Sequence, residues 1–426
     1  MRSTLFKIPS EVGGIPVFGF GILLAIWALA AVLVLAQVVR RDGWSRSVLS
    51  YLPALLIGGV AIALVLPRLM DPEGMPIRGY GVLLLLAVAG GVGLSAYRAY
   101  RAGLDPELIF SLAVWLFLAG IAGARLFYVL EYWHEKFRKP TLSETLLAIV
   151  NIPEGGLVVY GSLLAGGLAL AVFVYKHRLP GLALADLIVP GVVLGMALGR
   201  LGCFLNGCCF GGACDLPWAV QFPFGSPPHR EQVHAGKLFV HGLKLFDRDG
   251  RVVVAQVQPS SAAEAAGVRA GDTIRAINDK TPASAAEATS LLLEIDRPGS
   301  PVVLATSDRT DGIKSWATAP PLPRSLPIHP SQLYSAIDAG LLCLLLVAYT
   351  PFRRKDGELT ALTLTMHSIS RYIIEIIRVD EQGVLQTELS ISQVVSLFVL
   401  AGGILIWISL YWRPSGVAWF RPAPSS

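Results

Sequence analysis

Runs of apolar residues long enough to cross a lipid bilayer recur nine times along this chain. They lie at approximately Val17–Val39, Val48–Leu66, Tyr80–Tyr97, Leu108–Leu130, Leu157–Tyr175, Ala183–Leu205, Gln332–Tyr349, Leu359–Ile377 and Gln393–Trp412. No other feature narrows the fold so far. Lipid offers a backbone amide no hydrogen-bond partner, so an unbroken apolar run must satisfy its own amides as a helix. At about 1.5 Å rise per residue, roughly 20 residues span a hydrocarbon layer of about 30 Å. Composition agrees: 54% of residues are hydrophobic and 15% charged, against about 25% charged in a soluble domain. The expected fold class is an all-α polytopic membrane protein of about nine transmembrane helices, with an inserted extracytoplasmic α+β domain. The first run is too long for a cleavable signal peptide, and no small-residue cleavage site follows it.

The formal net charge of +5 is a topology signal rather than a nucleic-acid signal, because the basic residues sit at the ends of apolar runs. Arg40, Arg41 and Arg46 follow the first run, Arg98 and Arg101 the third, Lys176 and Arg178 the fifth. Arg353, Arg354 and Lys355 follow the seventh and Arg413 the ninth; Lys136, Arg138 and Lys139 are the exception. The positive-inside rule then puts the N-terminus outside, the C-terminus in the cytoplasm and Asn206–Pro330 outside. The segments Gly14–Ala25 and Gly74–Ala87 share Gly-x-Pro-x-x-Gly-aromatic-Gly before an apolar run, a weak internal repeat.

Within the outside segment the composition turns to that of a small soluble fold. VVVAQVQ (Val252–Gln258) reads as a strand, SAAEATSLLLEI as a helix and PVVLAT as a strand. The Ser-x-Ala-x-x-Ala-Gly-Val-x-x-Gly-Asp spacing between them resembles a PDZ domain, a fold that takes an extended peptide beside a sheet edge. His241–Phe246 is the nearest match to its carboxylate-binding loop. The Pro-rich Pro320–Pro327 reads as the linker back to the membrane.

Arg200 stands inside an apolar run, and an unpaired charge in lipid costs several kcal/mol. With the orientation above, Arg200, Arg125, Tyr80, Tyr160, Arg371, Glu375 and His329 all fall in the outer third of the membrane. His367, Arg371 and Glu375 follow i, i+4, i+8, with Arg378 three further on, which puts them on one helical face. An Arg371–Glu375 pair alone is most simply structural. With Arg200 and Arg125 at the same depth, guanidiniums outnumber carboxylates, and the planar donor fork of arginine suits a phosphate. The resident anion of a membrane is a phospholipid headgroup.

Cys203, Cys208, Cys209 and Cys214 follow C-x4-C-C-x4-C. That spacing fits a disulfide, for example Cys208 or Cys209 with Cys214, or small packing residues better than zinc, which favours C-x2-C pairs. Cys343 reads as a packing residue. His134, His177, His229, His234 and His241 read as surface residues.

Six segments in order resemble the bacterial prolipoprotein diacylglyceryl transferase family: Arg78–Gly81, Gly123–Leu130, Glu154–Gly167, Gly199–Gly211, His329–Tyr334 and Arg371–Arg378. The resemblance covers about Pro76–Ile408 apart from the PDZ-like part. It implies transfer of the diacylglyceryl group of phosphatidylglycerol to the lipobox cysteine thiol in prolipoprotein signal peptides, in the bacterial cytoplasmic membrane. It implies catalytic roles for Arg200, Arg371, Glu375 and Tyr160. It implies substrate-binding roles for Tyr80, Arg125, Asn206, Gly202, Gly207, Gly211, His329 and Arg378. The three glycines would pass the backbone close beside the ligand. No metal, organic cofactor or nucleic acid is implied, and the PDZ-like part would hold a peptide or protein ligand. Tyr160 stands where many members have a histidine, Cys203 where asparagine and Cys208 where glutamate is usual, His367 where tyrosine is common, and Ser335 where glutamate is usual. The expected organisation is an extra membrane segment (1–75), the membrane core in two parts (76–240 and 329–413), the PDZ-like domain (241–308), a linker (309–328) and a tail (414–426). Two other functions remain open: a catalytically inactive lipid- or lipoprotein-binding relative, and a membrane thiol-redox or metal protein built on the cysteine cluster.

Overall fold

A computed structural model describes residues 4–43, 55–56, 58–70, 74–138, 140–151, 155–156, 158–307, 312–320, 322–378 and 389–419. It divides into two compact units, Met1–Leu83 and Leu84–Ser426.

In the first unit, β1 (Thr4–Ile8) pairs with β4 (Met75–Arg78), and β2 (Glu11–Val12) forms a hairpin with β3 (Ile15–Pro16). Helix α1 (Ile22–Asp42) follows. Both copies of the sequence repeat therefore run as a short strand into a helix, α1 in one case and α2 (Gly79–Arg101) in the other. Trp27 closes the unit: its Nε1 donates to the Leu55 carbonyl at 3.2 Å, and its ring lies where a side chain on Gly58 would stand.

The second unit holds α3 (Glu107–Glu131), α4 (Leu142–Val150), α5 (Val159–His177), α6 (Gly181–Asn206), α7 (Pro227–His234), α8 (Ala262–Ala265), α9 (Ala285–Glu294), α10 (Ser331–Tyr349), α11 (Glu358–Ile376) and α12 (Ile391–Trp412). Among the described residues, six helices are long and apolar enough to cross a membrane: Ile22–Arg40, Gly79–Arg101, Glu107–Glu131, Gly181–Asn206, Ser331–Phe352 and Ile391–Trp412. Nine spans were expected. Of the other three, α5 and α11 form helices of 19 residues each. The expected span Val48–Leu66 falls partly outside the described residues, and an apolar helix Gly58–Arg68 remains of it.

Small residues set the helix crossings. A Cβ on Gly161 of α5 would overlap the Gly123 carbonyl of α3, and one on Gly191 of α6 would overlap the Gly91 carbonyl of α2. Lipid supplies no hydrophobic drive between helices, so such close backbone approach is what holds them together.

A buried polar network that the sequence reading missed ties α6 to the turn before α11. Asp186, fully buried, accepts hydrogen bonds from Gly357 N (2.8 Å), Thr360 N (2.8 Å), Thr360 Oγ1 (2.7 Å) and Arg353 Nη1 (3.3 Å). Arg98 donates to the Leu187 and Asp186 carbonyls at 2.9 and 3.1 Å and to Thr350 Oγ1 at 2.9 Å. Arg98 and Arg353 are thus buried structural partners rather than solvated topology charges. Removing one member of such a set leaves an uncompensated charge and costs about 3–5 kcal/mol.

The soluble part is an antiparallel five-stranded meander in the order β5 (Leu243–Arg248), β6 (Arg251–Val257), β7 (Thr273–Ile277), β8 (Pro301–Ser307), β9 (Gly312–Ala317). The alternation within β6 and β8 buries Val252, Val254, Val302 and Leu304 against Leu292 of α9. Ser261 and Ser284 cap α8 and α9 by accepting from the amides of Glu264 and Glu287 three residues on. The sheet extends past the expected boundary at 308, since β9 occupies part of the expected linker. The same apolar core takes in Val233, Val240 and Trp316. In the candidate carboxylate loop, the Leu243 amide already donates to the Val240 carbonyl at 2.9 Å. His229 and His241 are buried rather than at the surface, each stacked near Phe224 with ring centres 4.7 and 5.2 Å away. Burial, with His241 and Arg230 nearby, pushes His229 down to about 4.

Candidate functional site

Helix α6 ends nearly two turns after Arg200 because Gly207 takes a left-handed conformation (φ 79°) and donates its amide to the Cys203 carbonyl at 2.8 Å. Past this cap, residues 208–214 run back against two other segments. Gly211 N donates to His329 O (3.0 Å), His329 N to Gly212 O (2.9 Å), Gly212 N to Ile377 O (2.8 Å) and Cys214 N to Pro327 O (3.2 Å). Ser331 Oγ and Gln332 Nε2 then hold the Cys209 and Cys208 carbonyls, each at 2.7 Å. The two motifs Gly199–Gly211 and His329–Tyr334 are therefore the two sides of one seam, which also receives the end of α11.

Gly207 and Gly211 were expected to let the backbone pass a ligand; in the structure their close neighbours are protein. A Cβ on Gly211 would stand 2.6 Å from His329 Cβ and 3.0 Å from His329 O. Gly211→Ala is expected to open the seam at a cost of about 1–3 kcal/mol, measured as a lower thermal unfolding midpoint of the full-length protein in detergent. An unchanged midpoint would mean that the seam bears no strain. Gly202 is buried within α6.

Helix α11 carries the charged face expected of it. Glu375, 4% exposed, pairs with Arg371 Nη1 and, at 3.2 Å, with Arg378 Nη1. Its other oxygen accepts from Ser390 Oγ at 3.1 Å, and Ser390 also caps α12. One buried carboxylate thus fixes two guanidiniums and the next helix. One turn back from Arg371, His367 lies within electrostatic reach of Asp338, Arg200 and Arg371. That brings α6, α10 and α11 to a common polar space. Asp338 accepts from Ser370 Oγ at 2.8 Å and escaped the sequence reading, although an acid inside an apolar run is a flag in itself. Two guanidiniums, Arg371 and Arg378, share the Glu375 carboxylate, while Arg200 and Asp338 act on His367 from neighbouring helices. Among the described residues Arg200 has no hydrogen-bond or ion-pair partner.

Arg125 does not belong to that group. It is 8% exposed, and its guanidinium donates to five backbone carbonyls: Ala148, Ile149, Asn151, Gly155 and Gly156, at 2.6–3.1 Å. Arginine has five N–H donors, so none is left for a phosphate. In this arrangement Arg125 caps the C-terminal end of α4 and the glycine turn before α5. Tyr160 opens α5, half-buried, next to the Gly123–Gly161 crossing. Tyr80, in the first unit, opens α2 and is 39% exposed. His329 Nδ1 lies 3.3 Å from Tyr334 Oη, which accepts from Trp218 Nε1 at 2.8 Å.

Asn206 sits within hydrogen-bonding reach of Cys208 Sγ. The sulfurs of Cys203, Cys208 and Cys209 lie within 4.8 Å of one another, and all five cysteines are free thiols. Cys214 stands apart, buried, so the Cys208–Cys214 or Cys209–Cys214 disulfide is absent from the structure. Cys343 packs as expected, with its thiol 3.3 Å from the Pro190 carbonyl. Beside α2, α3 and α6 an apolar groove of about 430 Å³ is lined by residues such as Leu84, Val88, Leu112, Ile188, Val192 and Met196.

Comparison with known proteins shows the family. Residues 67–409 match the family model described as prolipoprotein diacylglyceryl transferase. A phosphatidylglycerol–prolipoprotein diacylglyceryl transferase of Rhodopirellula baltica is 35% identical over 452 aligned residues, covering 97% of this chain and 90% of that protein. Proteins of the same name from Trichormus variabilis and Thermosynechococcus vestitus are 38% and 39% identical, over 38% and 40% of this chain and 55% and 60% of their own lengths.

Proposed function

This chain belongs to the prolipoprotein diacylglyceryl transferase family, and from that premise we propose that it moves the diacylglyceryl group of phosphatidylglycerol to the lipobox cysteine thiol of a prolipoprotein. The substrate sulfur attacks the glycerol carbon, the bond from that carbon to the phosphate oxygen breaks, and glycerol phosphate leaves. The observation that carries the site is Arg200: a guanidinium one helical turn beyond Met196 of the apolar groove, without a hydrogen-bond partner among the described residues, and within electrostatic reach of His367 as Arg371 is. Negative charge grows on the phosphate as the carbon–oxygen bond breaks, and donors already aimed at that charge lower the barrier. Glu375 orients Arg371 and Arg378 through its two ion pairs. The groove bounded by α2, α3 and α6 suits the acyl chains.

Arg101, Lys176, Arg178, Arg354, Lys355 and Arg413 support a cytoplasmic position for the ends they flank. The sheet domain then lies outside, where precursors emerge, and its β5 edge beside α9, which pairs with no further strand among the described residues, suits an added peptide strand. With the Leu243 amide engaged, that edge would read an internal extended segment rather than a chain-terminal carboxylate. The test is complementation of a bacterium depleted of its own transferase. Rescue is expected, with a reporter lipoprotein gaining the mass of a diacylglyceryl group; a reporter that stays unmodified while the chain is inserted and folded would overturn the reading.

A further inference from the structure

The thiols of Cys203, Cys208 and Cys209 are placed as a set rather than as packing. Their spacing in sequence argued against a metal site. The Gly207 cap removes that objection: both Gly207 N and Cys208 N donate to the Cys203 carbonyl, which folds Cys208 back beside Cys203. Cys209 is held at φ 58°, a left-handed conformation costing a non-glycine residue about 1–2 kcal/mol. Ser331 and Gln332 fix the carbonyls of this pair from outside. The carboxamide that grips Cys208 leaves Gln332 Oε1 buried without a hydrogen-bond partner among the described residues. That is an independent sign that a further group belongs beside this loop.

Three sulfurs within 4.8 Å are close to what a thiophilic ion needs. Zinc–sulfur bonds are about 2.3 Å, so tetrahedral ligands stand roughly 3.8 Å apart. Three protein ligands leave a fourth position open, which is the arrangement of reactive rather than purely structural zinc. A zinc ion with three thiolates carries one net negative charge, and Arg200 lies one helical turn from Cys203. We propose that Cys203, Cys208 and Cys209 bind one zinc ion as thiolates, and that its open position takes the cysteine thiol of the protein substrate. This rests on the transferase reading. Coordination deprotonates the substrate thiol outright, and the proton passes to solvent. The bound sulfur then attacks the glycerol carbon, a carbon–sulfur bond forms, the carbon–oxygen bond breaks and glycerol phosphate departs with the electron pair. Nothing is oxidised or reduced. The thioether product, a neutral and weaker ligand, is released. Such activation dispenses with a general base in a chain where Tyr160 stands at the position of a histidine.

The experiment uses the full-length protein purified in detergent without chelators. Elemental analysis is expected to find about one zinc per chain, lost in Cys203→Ser, Cys208→Ser and Cys209→Ser. Because those variants could fail to fold, the wild-type protein is also loaded with cobalt. Its thiolate-to-metal absorption band is expected to grow by about a third when a lipobox peptide adds a fourth sulfur, and not to grow with the serine peptide. A zinc-free protein, zinc retained in the triple serine variant, or a mass two hydrogens lower from a disulfide would each overturn the site. Equal turnover before and after metal removal would overturn its role while leaving the transferase reading in place. Zinc and peptide-thiol binding without diacylglyceryl transfer would do the reverse.

Discussion

Arg200→Ala is expected to reduce transfer of the diacylglyceryl group to a lipobox peptide by at least about 10²–10³-fold, the loss typical of removing one donor aimed at developing charge. Stability should hardly change. Arg200 makes no hydrogen bond or ion pair among the described residues, so the substitution leaves no protein group newly unpaired, and it removes a costly charge from an apolar setting. The combination separates a ligand-facing arginine from a structural one. The measurement pairs turnover in phosphatidylglycerol micelles, followed by peptide mass, with the thermal unfolding midpoint of the same preparation. Arg200→Lys should fall between, because it keeps the charge and loses the planar fork. Arg371→Ala should lose as much activity but also some stability, since it leaves the buried Glu375 with Arg378 and Ser390 alone. A wild-type rate for Arg200→Ala would end the assignment of the phosphate site.

What the sequence could tell followed from how local each signal is. Apolar runs mark helices because helix formation in lipid is decided within one segment, and the i, i+4 spacing of Arg371 and Glu375 is settled within one turn. The ion pair and the face it lies on were therefore legible. The partners of an arginine are not local. Arg125 and Arg200 look alike in sequence, each a lone guanidinium near the end of an apolar run, yet the first meets five carbonyls and the second meets none among the described residues. Arg98 and Arg353 read as topology charges for the same reason: Asp186, which gathers them, lies 88 and 167 residues away in the chain. The approach of Cys203, Cys208 and Cys209 was not legible because ligand-spacing rules assume an ordinary turn, and a left-handed glycine cap changes which sulfurs meet. The strand β9 was missed because it falls in the expected linker just ahead of the proline-rich Pro320–Pro327, although Trp316 is buried in the sheet's core.

Arg125→Ala should behave in the opposite way to Arg200→Ala. It strips five carbonyls at the end of α4 and in the turn before α5 of their donor at once, and also removes a cation set 5.4–5.5 Å from the ring centres of Phe137 and Tyr128. A single buried acceptor left unpaired costs about 1–3 kcal/mol. Water will reach some of the five, so the sum is not additive, and a loss on the order of 3–5 kcal/mol is expected. A membrane protein of ordinary margin would lose most of its folded yield. Lysine should rescue little, because one ammonium with three donors cannot serve carbonyls spread from Ala148 to Gly156. The folded fraction that survives should bind phosphatidylglycerol as tightly as wild type, since no phosphate contact has gone. The readouts are the unfolding midpoint, protease cleavage within residues 138–158, and lipid affinity of the folded fraction. A variant of normal stability with weakened lipid binding would return Arg125 to the phosphate site and show that its carbonyl contacts give way when the lipid arrives.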